Sequence, residues 1–156
     1  MIKKLLIAVG AAAVAAVGGS LIRPFGAPDS SAKQVIFRAA QIDPETLAIV
    51  QRACQNCHSQ NTEWPWYSHV APVSWLVVSD VNEGRRHMNL SDWPKDSERA
   101  AKKLERMSEE VGYKVMPPAK YTLLHPAARL TDSQREQLIH WADQEAERLK
   151  PAGAGK

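Results

Sequence analysis

From Leu5 to Ile22 the chain carries no charged residue, and Arg23-Pro24 closes this apolar run. As a helix rising about 1.5 Å per residue the run would extend about 27 Å, close to the roughly 30 Å hydrocarbon layer of a bilayer. Beyond it, apolar positions recur at helical spacing. Asp43-Pro44-Glu45 has the form of a helix start: an aspartate cap, proline in the first position and an acid in the first turn. Leu47, Val50, Cys54 and Cys57 follow at spacings of three, four and three, which puts both thiols on one apolar face. A second helix is predicted after Pro72, with Val73, Val77, Val81, Gly84 and Met88 as its stripe. A third, highly charged, spans roughly Asp96 to Glu110. The last starts at Thr131 and runs to about Leu149, facing inward along Leu138, Ala142, Glu145/Ala146 and Leu149. No segment sustains strand alternation and no repeat is present. The predicted class is all-α, with long connecting loops.

This pattern divides the chain into a leader (residues 1–23), a tether (24–42) containing Pro24, Gly26, Pro28 and Ser30-Ser31, one helical domain (43–149) and a disordered tail (150–156). Lys3 and Lys4 precede the apolar run, which sets its N-terminus in the cytoplasm and sends the remainder outward. A signal peptide would be cut after a small-x-small triplet, and Ala16-Val17-Gly18 and Gly18-Gly19-Ser20 both offer one. The near-spanning length favours an uncleaved anchor. Either way the working domain is exported to the periplasm, anchored to the inner membrane by the N-terminal helix or, if that helix is cleaved, free of it.

The net charge of +3 belongs wholly to the leader, where Lys3, Lys4 and Arg23 stand without an acid. The rest is neutral, so the basic isoelectric point carries no signal for nucleic acid, and no basic cluster with interleaved aromatics occurs.

Both cysteines lie in R-A-C-Q-N-C-H-S-Q, residues 52–60. A disulfide across two intervening residues closes too small a loop to restrain the unfolded chain much. Zinc needs further ligands, and neither a second cysteine pair nor a close His-x-x-x-His is present. A thioredoxin-type redox pair expects a βαβ setting. C-x-x-C-H is the attachment signature of c-type haem, in which each thiol forms a thioether with a vinyl group and the histidine ligates iron. Cys54, Cys57 and His58 are therefore the expected attachment and ligand residues of one covalent haem.

For the second axial position Met116 is favoured, because Pro117 and Pro118 behind it stiffen a loop that can hold a thioether over the haem face. Thioether sulfur favours ferrous iron and raises the potential. Met88 on a helix stripe and Met107 in the charged helix are weaker candidates, and His69 or His87 would give bis-histidine ligation. His125 can buttress the loop, and His140 falls on a polar helix face. Trp64, Trp66, Tyr67, Trp75 and Trp93 offer apolar faces with polar tips that can pack on porphyrin. Trp66 and Arg85, the latter as a bidentate partner of a propionate, are the predicted cofactor contacts.

The helix entering C-Q-N-C-H, the later M-P-P and the helix L-T-D-S-Q-R-E-Q-L-I-H-W are laid out as in a small class I cytochrome c. The blocks C-Q-N-C-H-S-Q-N-T-E-W-P-W-Y, P-V-S-W, N-E-G-R-R-H-M-N-L-S-D-W, M-P-P and Y-T-L-L-H-P-A-A-R-L-T-D resemble the bacterial haem-binding-domain family of membrane-tethered c-type proteins over roughly residues 44–145. The position three before E-G-R, often histidine in that family, is Asp80 here, so no role of that histidine carries over. The resemblance implies a cytochrome c-like fold in which the first and last helices of the domain cross beside the haem. The expected function is that of an exported monohaem carrier, not an enzyme, passing single electrons between redox partner proteins without a small-molecule substrate. An open-site sensor or peroxidase-like protein and a structural haem subunit of a respiratory complex are the alternatives.

Overall fold

The computed structural model describes residues 1–29 and 33–150, and among these no β-strand occurs. Ser30-Ser31 of the expected tether and the tail beyond residue 150 lie outside the described residues. The helices are α1 (Ile2–Ser20), α2 (Pro44–Ala53), α3 (Gln55–His58), α4 (Val73–His87), α5 (Ser97–Gly112), α6 (Ala119–Leu124) and α7 (Asp132–Leu149), with 3-10 turns at Trp66–His69 and Pro126–Ala128. The all-α expectation holds.

The helix starts follow from capping side chains. Asp43 accepts from the N–H groups of Glu45 and Thr46, Asp96 accepts from that of Arg99, and Thr131 and Gln134 form a reciprocal capping box. The helix through the cysteine motif is not continuous, however. α2 buries Thr46, Ile49, Val50 and Ala53, and the backbone leaves helical geometry at Cys54 (φ −122°) before α3 begins. The predicted Leu47–Val50–Cys54–Cys57 stripe therefore holds only in part: Val50 is fully buried in the core and Leu47 and Cys54 pack against it, while Cys57, beyond the break, is half-buried on α3. In α4 the buried residues are Ser74, Val78, Val81 and Gly84, whereas Val73 is exposed and Val77 half-buried.

The core lies between α5 and α7, the most extensively paired helices, with α2 against α7. Leu104, Leu138, Val50 and Leu90 are fully enclosed, and Trp141 joins the expected Leu138, Ala142, Glu145 and Ala146 on the buried side of α7. Part of the expected tether belongs to this core. Phe37 is buried edge-on between Trp93 and Trp141, at centroid distances of 4.7 and 5.1 Å, and holds a left-handed φ of +50° there. Gln41 is clamped to α7 at both ends of its backbone: its N–H donates to Glu145 Oε1 (2.9 Å) and its carbonyl accepts from Trp141 Nε1 (2.8 Å). Lys150, counted with the tail, pairs with Glu105 at 2.9 Å.

The apolar α1 has no buried residue and is long and apolar enough to cross a membrane, a property it shares with signal sequences. Its end is tied to α4. The Ala71 N–H donates to Ser20 Oγ (3.0 Å), Trp75 Nε1 donates to the Ile22 carbonyl (2.7 Å) and Asn82 Nδ2 to the Phe25 carbonyl (2.8 Å).

Candidate functional site

A cavity of about 380 Å³ opens between α3, α4, α5 and the segment leading into α6. Cys54, Cys57 and His58 form one part of its lining, and Met88, Met107 and Met116 add three thioethers. Charged residues complete it: Asp80, Glu83, Lys103, Arg106, Glu110 and Lys120.

α3 is a single turn in which the His58 N–H donates back to the Cys54 carbonyl at 3.0 Å. It is pressed against α4 at Gly84. A Cβ built on Gly84 would lie 2.6 Å from the Cys57 carbonyl oxygen, inside any real contact distance, so only glycine permits this approach. Ser59 locks the end of the turn through its hydroxyl, which donates to the Gln55 carbonyl at 2.8 Å.

His58 is oriented by a backbone group. Its Nδ1 stands 3.0 Å from the Met88 carbonyl oxygen, a bond that fixes Nδ1 as the protonated nitrogen and leaves Nε2 with a free lone pair. Burial lowers the His58 pKa, against the opposing pull of the Met88 and Gly84 carbonyls, which favours the neutral imidazole.

Both thiols are free. Burial pushes Cys54 up to about 12, with the neighbouring Cys57 adding to the effect, and pushes Cys57 to about 11, with Asp80 adding. Thiols held this firmly protonated are poor zinc ligands and slow partners in disulfide exchange. Among the described residues no cluster of three or more His, Cys, Asp or Glu side chains could hold a metal ion.

Met116 is half-buried on the cavity wall, immediately before the prolyl bond Met116–Pro117, which is cis. Its loop is held from outside by Arg135 of α7, whose Nη1 donates to the Val111 carbonyl (2.6 Å) and the Met116 carbonyl (3.2 Å). Met88 packs against the core beside His58, and Met107 is buried within it.

Two predicted contacts are not brought to this cavity. Trp66 stands 78% exposed on the first 3-10 turn. Arg85 faces the other way along α4: it donates to Asp29 Oδ2 (2.6 Å), the Ser59 carbonyl (2.8 Å) and Thr62 Oγ1 (2.9 Å), so its guanidinium staples the chain at Asp29 onto the segment that follows α3. Trp64 and Trp75 spend their N–H groups on the carbonyls of Asp29 and Ile22, and Trp93 is core. The cations lining the cavity are Lys103, Arg106 and Lys120 instead. Lys103 donates to the His87 carbonyl (2.7 Å) and Lys120 pairs with Asp80 (2.8 Å). Lys103 and Arg106 stand on α5 and Lys120 on α6, and nothing in the sequence alone showed that they meet at one cavity.

The histidines separate clearly. His87 sits at the rim, paired with Glu83 at 2.7 Å, and His69 and His140 are exposed. His125 buttresses the loop region: its Nε2 meets the Tyr67 hydroxyl at 2.7 Å and its ring stacks on Tyr121 at 4.3 Å, while Tyr121 lines the cavity and accepts from Asn56 (3.0 Å). A larger open groove of about 910 Å³ lies on the far side of Tyr121, but it contains neither cysteine nor His58.

The model of the haem-binding domain matches residues 15–144. The chain belongs to the haem-binding domain family. The members' cofactor suits this cavity on its own chemistry: two unpaired thiols one turn apart, an imidazole presented with Nε2 free, a glycine where α4 must approach, and thioethers and cations around the rest. The chain is also similar to the cytochrome c peroxidase Ccp of Escherichia coli (strain K12), 28% identical over 102 residues. That match covers 62% of this chain and 22% of the other, so the chain corresponds to about a fifth of that relative's length. No solved structure gives a significant match.

Proposed function

We propose that this haem-binding domain is an exported monohaem c-type cytochrome that passes single electrons between redox partner proteins. Cys54 and Cys57 would hold the haem as thioethers, and His58 Nε2 and Met116 would ligate its iron. Bound in this way, the haem supplies a one-electron couple on iron. The chain's own residues set its character. The Met88 carbonyl orients His58 and raises its basicity as a ligand. The Arg135 bonds hold the Met116 loop, so the thioether is presented by fixed backbone. Asp80, at the position where the family often has histidine, is paired with Lys120 and supplies no imidazole.

The observation that carries this reading is the joint placement of His58 and Met116 on one cavity wall set, with His58 Nε2 left free by the Met88 bond. With both axial sites filled by protein, no open site remains for a substrate. The named similarity to a cytochrome c peroxidase supports a second reading, in which the haem keeps an open site and reacts with peroxide. In both readings α1 anchors the domain on the periplasmic face of the inner membrane.

The attachment is tested by the mass of the denatured full-length protein made with a functioning cytochrome c maturation system. A mass increase of one haem, lost in the Cys54→Ala/Cys57→Ala double variant, is expected. Protein matured under those conditions with no covalent haem refutes the c-type reading.

A further inference from the structure

Six large apolar side chains stand exposed at one end of the domain: Trp66 (78%), Val70 (40%), Val73 (43%), Leu76 (55%), Leu123 (70%) and Leu124 (63%). The bonding pattern shows why they share that end. Val70 and Val73 flank Ala71, whose N–H is held by Ser20 and whose methyl carbon lies 3.1 Å from where a Gly19 Cβ would stand. Leu76 is one turn further along α4. α6 runs antiparallel to α4, because Lys120 at its start pairs with Asp80 and His125 just past its end meets Tyr67. Leu123 and Leu124 are thereby carried back to the Trp66–Tyr67 turn. This is the end at which α1 stops.

We propose that this face rests in the interfacial layer of the bilayer that α1 crosses, so the domain lies on the outer membrane surface instead of swinging freely from its anchor. The inference rests on α1 being a retained anchor. Large apolar side chains left exposed together at one end of a domain mark an interaction site. Its occupant follows from the connection to α1. The chain leaving α1 has no slack, since Ser20, Ile22 and Phe25 are each hydrogen-bonded to the α4 segment. A protein partner would have to displace lipid from a face that its own chain pins at the membrane. The composition agrees: an exposed tryptophan is suited to the headgroup level, Arg23 follows α1 where a cation meets lipid phosphate, and the adjacent Asp80 and Lys120 neutralise each other. One consequence concerns the cavity. Asp80, Lys120 and Tyr121 line it and lie on the same two helices, so its mouth is held at a set height above the lipid.

The test uses full-length haem-loaded protein in phosphatidylcholine/phosphatidylglycerol vesicles containing a phospholipid with a diazirine in its acyl chain. After illumination, labelled peptides are mapped by mass spectrometry. Label is expected in α1 and in peptides covering residues 64–76 and 119–128, at about five times the level in α7, which packs on α5 away from this end. Leu76→Glu/Leu124→Glu should lower the label in those two peptides about fivefold and leave α1 unchanged. Label in α1 with the two peptides at the α7 level overturns the proposal while sparing the anchor. Label absent from α1 as well overturns the anchor itself.

Discussion

His58 Nδ1 and the Met88 carbonyl oxygen lie 3.0 Å apart, although the residues are 30 positions apart in the chain. The bond couples the Cys54–His58 turn to the end of α4, where the helix stops at His87 and Met88 turns to extended backbone. It is reinforced by the backbone of His58 itself, whose carbonyl accepts from the N–H of Leu90, two residues after Met88, at 2.6 Å. The imidazole is therefore set in tautomer and direction before any cofactor arrives. This preorganisation depends on α3 and α4 remaining in contact.

Gly84 sets that contact. Gly84→Ala would drive a methyl into the Cys57 carbonyl, and overpacking of this kind costs about 1–3 kcal/mol. A lower Tm and a reduced haem-to-protein ratio are expected together. Gly112→Ala is the control, because a Cβ there meets only Ile139 Cδ1 at an ordinary 3.7 Å.

Arg135 secures the Met116 loop, and its Nε is buried without a partner, so its fixed role is to serve the Val111 and Met116 carbonyls. Arg135→Leu should cost about 1–3 kcal/mol, since two carbonyls lose a charged donor. Covalent haem should be retained while the thioether charge-transfer absorption weakens and is lost at lower temperature than in the wild type. An unchanged band on heating would show that the loop holds without Arg135.

Glu145 is buried on α7 and ionised. Burial raises its pKa, but the Arg148 guanidinium (2.6 Å) and the Gln41 N–H outweigh it, so the folded value lies below the ordinary 4.5. A lowered folded pKa stabilises the protein above about 4.5, and the contribution fades as pH falls through the folded value. Glu145→Gln should cost about 1–3 kcal/mol at pH 7, with the two proteins converging in stability in acid. Denaturant titrations at pH 7 and at low pH check the sign.

How far these features were legible in the sequence depends on how local their causes are. Asp43, Asp96 and Thr131 cap within three residues, and their helix starts stood where the sequence put them. The inward side of α7 was readable too, because a helix packed along its length on α5 keeps its periodicity. The break at Cys54 was not readable, since periodicity continues through it and the kink serves the packing of α3 on α4. α6 was missed because it is six residues long and has no side-chain cap. Arg85 and Trp66 were misplaced for a different reason. The Arg85 partner is Asp29, 56 residues away, and Trp66 stands on a short 3-10 turn whose orientation no local pattern sets.

The leader gives a further expectation. Protein purified from the membrane fraction should retain residues 1–23 on N-terminal sequencing. A mature terminus near Ser20 or Leu21 would make the domain a freely soluble periplasmic protein.

The absorption spectrum of the full-length protein in both oxidation states, with and without carbon monoxide and compared with Met116→Ala, tests the electron-carrier reading most directly. The wild type should be low-spin, show the weak red band of iron–thioether ligation when ferric, and bind carbon monoxide poorly when ferrous. Met116→Ala should lose the band, shift to lower potential and bind carbon monoxide, while Met88→Ala keeps the band. A wild-type protein that is already high-spin and takes up carbon monoxide readily would contradict the carrier reading and favour the open, peroxide-reactive site.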